Sequence, residues 1–335
     1  MSRPLHTRRT GEDAGSRIPL LPEVRPVTTS TPIAPHDAAD VDVRPEQPSG
    51  AGGPPADAVI VGVDGTECGL GAVRWAAQEA ARRNAPLRIV HAVPIPRRGR
   101  STEMAPRPTP HQRRVAAQAY TVAKHTEGGV HSVTEIVAGD AAAVLLTAAA
   151  EGQLVVLGKS TTGAIDEWVV APVAVRVAAR SPRPVVLVPR PRSAAAAERE
   201  VAAVLGLGEP SDDERVAEFA AEAAQRTGTA LTVLQIRRSR AHVPEGWIQE
   251  EAEWAQRFPG LEVHHSDLPG ATAAQVLGAT CPAPLLVLSA GHGTLMHRDL
   301  DAPHLWLLRH CTSPMALVPP VDRPELAPDE IISPG

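Results

Sequence analysis

One order of strand-like and helix-like segments occurs twice in this chain, and that repeat restricts the fold more than any other feature. Ala58-Val59-Ile60-Val61-Gly62-Val63 is a short, unbroken, β-branched run, the pattern of a strand buried on both faces. After Asp64-Gly65-Thr66, the residues Leu70, Val73, Ala76, Ala77, Ala80 and Ala81 recur at helical spacing. Arg82 and Arg83 close that helix where cations suit its dipole, and Asn84 is a fitting stop. Leu87 to Ala92 is a second strand, followed by a Pro/Arg-rich loop from Pro94 to Pro110. A helix over 111–127, a strand over 133–137, a helix over 141–150, a strand over 154–157, a helix over 173–179 and a strand over 185–188 complete the first unit.

The second unit repeats this grammar. Val201 to Gly206 matches the first strand, 214–226 the first helix, and Leu231 to Ile236 the second strand. Gly270-Ala271-Thr272-Ala273 echoes Gly139-Asp140-Ala141-Ala142. Leu285 to Leu288 matches the fourth strand, and Met315-Ala316-Leu317-Val318-Pro319 matches Val185-Val186-Leu187-Val188-Pro189. Strands alternating with helices imply right-handed crossovers and an open parallel sheet. The expected fold is α/β: two tandem open five-stranded parallel-sheet domains with helices on both faces. The boundaries are a tail over 1–56, a first domain over 57–190, a linker over 191–199, a second domain over 200–320 and a C-terminal tail over 321–335.

Composition fits this picture. A length of 335 residues suits two domains, and with only 2% aromatics the core must be aliphatic. Residues 1–56 combine frequent proline, mixed charge and no apolar periodicity, so they read as a disordered extension or a docking arm. A net charge of −5 argues against electrostatic capture of nucleic acid. No run approaches the roughly 18 apolar residues of a membrane span, and Arg8-Arg9 is followed by no apolar signal region. Cys68, Cys281 and Cys311 form no C-x-x-C pair, and their odd number suits reduced thiols in a cytoplasmic protein. Lys124 and Lys159 are the only lysines in a chain whose other strong bases are all arginine, a bias attributable to codon usage.

Val61-Gly62-Val63-Asp64-Gly65-Thr66, Gly139-Asp140-Ala141, Leu154 to Gly158 and Pro182-Arg183-Pro184-Val185 together resemble the universal stress protein family. The resemblance covers about residues 57–190 well and 200–320 more weakly. It implies that an adenine nucleotide would sit against Asp64, Gly65, Thr66, Gly139, Gly158, Lys159, Ser160 and Gly163. ATP-binding members carry G-x-x-G, nine residues, then G-[S/T]. Bare backbone there approaches phosphate, and a helix N-terminus adds positive potential. This chain keeps the spacing and departs in chemistry. Thr161 stands for the second glycine, and Ala171-Pro172 stands for Gly-Ser/Thr. The second unit departs further, with Ser289, His292, Ala302 and Pro303 at the matching positions and Gly208 where Asp64 would be. Proline remains welcome in a helix's first turn, so both loops can simply start helices.

The resulting expectation is a stress-response interaction or regulatory protein with degenerate ATP-binding loops and an unidentified protein partner. No cofactor, or ATP bound weakly through the first domain alone, accompanies it. A nucleotide sensor using the first domain, or a weak ATPase, is the alternative. In the resembled family fifth strands pair between protomers. Here Val185–Val188 and Met315–Val318 would pair within one chain, giving a monomer with an internal pseudo-dimer. Lys159 could instead be a solvated loop residue.

Other constellations carry less. His292, His297, His304 and His310 are spaced by five, seven and six residues, a poor match to helical metal-ligand spacing. Cys68 lies near a helix start, which could lower its pKa, although an inert buried thiol is the simpler reading. Trp247 and Trp254, seven apart, would share a helix face that either packs or meets a partner.

Overall fold

Strand β1 (Ala58–Gly62) takes parallel partners on both sides, β2 (Leu87–Val93) and β4 (Gly152–Lys159), as its unbroken apolar run requires. The computed structural model describes residues 57–95, 107–159, 161–162, 169–170, 172–190, 200–205, 210–237, 256–291, 300 and 302–320. Helix α1 (Glu67–Arg83) starts at the side-chain cap of Thr66 and stops at Asn84, which adopts the left-handed region at φ 51°. Its N–H donates to the carbonyls of Ala80 and Ala81. Helix α2 (Pro110–Thr126) begins one residue before the sequence expectation because Thr109 and Gln112 form a capping box ahead of Pro110. Strand β3 (Ser132–Ala138), helix α3 (Ala141–Glu151), helix α4 (Pro172–Arg180) and strand β7 (Val185–Pro189) complete the first half. A short antiparallel pair, β5 (Thr161–Thr162) with β6 (Val169–Val170), lies between β4 and α4.

The second half contains β8 (Val201–Leu205), α5 (Pro210–Thr227), β9 (Leu231–Arg237), β10 (Val263–Pro269), α6 (Ala273–Thr280), β11 (Leu286–Ser289), α7 (Ala302–His310) and β12 (Met315–Val318). Helix α5 starts four residues before the expected Glu214, with Asp212 and Asp213 in its first turn. Strand β10 has no apolar signature in the sequence, because it is an edge strand, largely exposed and paired only with β9. Trp247 and Trp254 lie outside the described residues.

Each half orders its strands third, second, first, fourth, fifth, all parallel. The two sheets are not separate. Strand β12 pairs antiparallel with β7, Met315 opposite Leu187 and Leu317 opposite Val185. A single ten-stranded sheet results, with β3 and β10 at its edges. Aliphatic layers run across the junction on both faces, one carrying Val186, Val188, Ala316 and Val318, the other Val185, Leu187, Met315 and Leu317.

Helices α1 and α5 meet beside that junction. Glu79, only 5% exposed, accepts from Arg83 Nε at 2.7 Å and stands 3.4 Å from Arg226 Nε of the second half. The Arg83 guanidinium lies 5.5 Å over the Phe219 ring. Burial lowers the Arg83 pKa, and Arg226 lowers it further while Glu79 opposes both. Removing the carboxylate would leave two crowded guanidinium groups. Glu79→Ala is therefore expected to cost about 3–5 kcal/mol, read from the urea midpoint of its unfolding curve.

Candidate functional site

In an open parallel sheet, ligands bind beyond the carboxyl ends of the strands, where the strand order reverses. In the first half that point lies between β1 and β4. The turn after β1 is exposed, with Gly65 at φ +84°. Asp64 Oδ1 accepts from the Thr66 N–H at 2.9 Å and from the Thr66 hydroxyl at 2.7 Å. The Thr66 hydroxyl in turn accepts from Gly69 N–H at 3.1 Å, so one short network shapes the turn and caps α1. Beside it, the buried His91 places Nδ1 2.8 Å from the Val63 carbonyl. A carbonyl only accepts, so Nδ1 carries the proton. Sequence reading missed His91, whose only signal is a polar residue in an apolar strand.

Gly158 comes so close to α1 that an added Cβ would lie 2.6 Å from the Cys68 carbonyl group and 2.7 Å from the Gly69 nitrogen. Bare backbone here meets the first turn of α1. Gly139 similarly faces Val144, 2.8 Å from where its Cβ would be. Asp140 caps α3 through the Ala143 N–H at 3.0 Å, and it accepts two bonds from Arg176 at 3.0 and 3.2 Å. Desolvation pushes the Asp140 pKa up, but the Ala143 N–H and Arg176 outweigh it and hold the carboxyl below its ordinary value.

Lys159 departs most from expectation. It is not a solvated loop residue. Only 4% exposed, it reaches from the end of β4 to the C-terminus of α7 in the other half. There its ammonium donates to the Leu308 carbonyl at 2.7 Å and to the Cys311 carbonyl. The last carbonyls of a helix lack intrahelical partners and sit at the negative end of its dipole, so Lys159 is a C-terminal cap supplied across the junction. Burial lowers its pKa, opposed by the charges of Cys311 and Cys281.

The segment after Lys159, expected to cradle phosphate, pairs with itself through Thr161 opposite Val170 and Thr162 opposite Val169. Ser160, Gly163 and Ala171 lie outside the described residues. In the second half, Ser289 takes the place of Gly158. Its buried hydroxyl donates to the buried Asp212 carboxylate at 3.3 Å and accepts from Gly291 N–H at 3.1 Å. Gly208, His292 and His297 lie outside the described residues. His304 is buried, and His310 stacks on Trp306 with ring centroids 4.1 Å apart while its Nδ1 contacts the Trp306 carbonyl. Among the described residues no three His, Cys, Asp or Glu side chains are grouped to hold a metal. The Cys68 pKa is raised by burial, opposed by Arg190 and reinforced by Asp64 and Glu67. Desolvation therefore prevails over the helix start.

Residues 56–189 match the Universal stress protein family. A universal stress protein of Mycolicibacterium smegmatis is 26% identical over 285 residues, spanning 78% of this chain and 97% of that protein. One of Mycobacterium tuberculosis is 26% identical over 274 residues, spanning 70% and 86%. The crystal structure of a universal stress protein from Archaeoglobus fulgidus shares the fold, with a TM-score of 0.62 at 14% identity over 80% of this chain and 99% of that one.

Gly158→Ala is expected to lose about 1–3 kcal/mol by overpacking with no ligand added. Gly129→Ala, where an added Cβ meets nothing within 4 Å, is the control and should be near neutral in the same thermal melts. Asp140→Ala should lose about 0.5–2 kcal/mol at neutral pH. Because the folded carboxyl titrates below the unfolded one, its stabilisation is fully present above the unfolded value near ~3.9. It fades as pH falls through the folded value, so chemical denaturation series should show the two proteins converging in acid.

Proposed function

We propose that this chain, a member of the universal stress protein family through residues 56–189, acts in the cytoplasm as a stress-response regulatory or interaction module whose ATP loops have degenerated. The observation that carries this reading is the placement of Lys159. Lys159, the cation that the resemblance would set beside phosphate, donates to the C-terminal carbonyls of α7. Self-pairing of β5 with β6 and the Ser289–Asp212 bond in the second half support the same reading. At the motif positions Thr161 carries a Cβ where backbone would approach phosphate, and Pro172 has neither a hydroxyl nor an N–H. The alternative, a nucleotide sensor using the first half alone, draws on the exposed turn at Asp64, Gly65 and Thr66.

The protein is also proposed to be a monomer, since pairing β7 with β12 satisfies internally the edge that a single unit would pair with a second copy. Multi-angle light scattering should return the chain mass of 35.2 kDa, and twice that value would overturn the proposal.

Titration calorimetry with Mg-ATP tests the degenerate loop. The wild-type protein should give no binding heat. Thr161→Gly, Ala171→Gly and Pro172→Ser together restore a close backbone approach, an N–H donor and a hydroxyl. A hydrogen bond to a charged group contributes about 1.5–3 kcal/mol, and about 1.4 kcal/mol is tenfold in affinity. The triple variant should therefore gain measurable binding, less than additively because glycine costs entropy. Micromolar binding by the wild-type protein would replace this reading with the sensor.

A further inference from the structure

Two cysteines thirty residues apart in sequence meet where α6 and α7 end. Cys281 closes α6, donating its N–H to the Leu277 carbonyl at 2.8 Å. Cys311 follows α7 and donates its N–H to the Leu307 carbonyl at 2.8 Å. The two helix ends converge, and the sulfur atoms stand 3.4 Å apart, both as free thiols. A disulfide holds its sulfurs at about 2.05 Å, so closure requires a shift on the order of 1 Å. The sites are unequal in access: Cys311 is 2% exposed, whereas Cys281 is only partly buried. A fixed cation stands at the pair, because Lys159 donates to the carbonyl of Cys311 itself.

We propose that Cys281 and Cys311 form a peroxide-reactive dithiol, with Cys281 the attacking sulfur and Cys311 the resolving one, that closes to a disulfide between the ends of α6 and α7.

The chemistry balances with a hydroperoxide as oxidant. The Cys281 thiolate attacks one peroxide oxygen and the O–O bond breaks. The other oxygen leaves with the proton Cys281 has given up, as water or an alcohol. Cys281 becomes a sulfenic acid, oxidised by two electrons while the peroxide is reduced by two. The Cys311 sulfur then attacks Cys281 Sγ. The S–S bond forms, the S–O bond breaks, and hydroxide departs with the Cys311 proton as a second water.

The surroundings favour this direction. The hydrogen bond from Cys311, working against desolvation and helped by Ser313, Thr280 and Lys159, brings the Cys281 thiol down to about 6. The same contact with Cys281, reinforced by burial, pushes Cys311 up. Low-pKa, partly exposed thiols beside a cation are the reactive ones. Cys68, raised by burial, is the internal control.

The test uses the full chain and hydrogen peroxide. Titrating the reduced protein should remove two of its three thiols and lower the intact mass by roughly 2 Da. A non-reducing digest should give one cross-linked peptide pair containing Cys281 and Cys311, which dithiothreitol separates. Cys311→Ser should trap Cys281 as a dimedone adduct, while Cys68→Ser should react like the wild-type protein. The rate of thiol loss should rise through about pH 6 and level off above it. A Cys281 sulfinic acid with no cross-link in the wild-type protein, or oxidation of Cys68 first, would overturn the proposal. The wild-type mapping decides even if a variant fails to fold. ATP plays no part in it, so the calorimetric result neither supports nor undermines it.

Discussion

The antiparallel pairing of β7 with β12 is the constraint on which the rest of this molecule depends. A five-stranded parallel sheet ending in Val185-Val186-Leu187-Val188 would present an apolar edge with unsatisfied N–H and C=O groups, a template for unwanted association. Joining it to the equivalent edge, Met315-Ala316-Leu317-Val318, pairs those groups and places both strands in the interior. The described register extends over three residue pairs, too short to orient two halves alone. Side chains on both faces, the Glu79–Arg226 contact and the reach of Lys159 supply the remaining definition.

This junction reshapes the crevice beside it. Strand β4 lies next to β7, so the residue at its end can turn toward a ligand or toward the neighbouring half. Lys159 takes the second course because the last carbonyls of α7 need a donor and attract a cation. The first half keeps an exposed turn at Asp64–Thr66, and in the second half the Ser289 hydroxyl donates to the Asp212 carboxylate. The Lys159 ammonium also fixes positive charge beside Cys281 and Cys311, so the junction and the thiol pair are electrostatically linked.

Much of the architecture was legible in the residues. The unbroken β-branched runs and the 3.6-residue spacing of Leu70, Val73 and Ala77 mark elements whose burial is set locally. The caps at Thr66, Asn84 and Asp140 are equally local, each needing a side chain or a backbone conformation within three residues. Strand β10 was not legible, because an exposed edge strand needs no apolar alternation and Val263–Pro269 has almost none. The start of α2 at Pro110 was hidden in a proline-rich stretch until its capping box was seen.

By itself the sequence determined the fold class and the duplication, and it set Thr161 and Ala171-Pro172 at the positions of the resembled motif, because these follow from residue type at short range. Tertiary structure alone decided the roles of Lys159, Gly158 and the cysteines. A glycine after a strand looks the same whether it faces a phosphate or the backbone of a helix, and only packing places the Cys68 carbonyl group 2.6 Å from its absent Cβ. A lone lysine carries no sign of which carbonyls it will meet 149 residues away. Thirty residues separate Cys281 from Cys311, and only the convergence of two helix ends on one face of the sheet brings their sulfurs together.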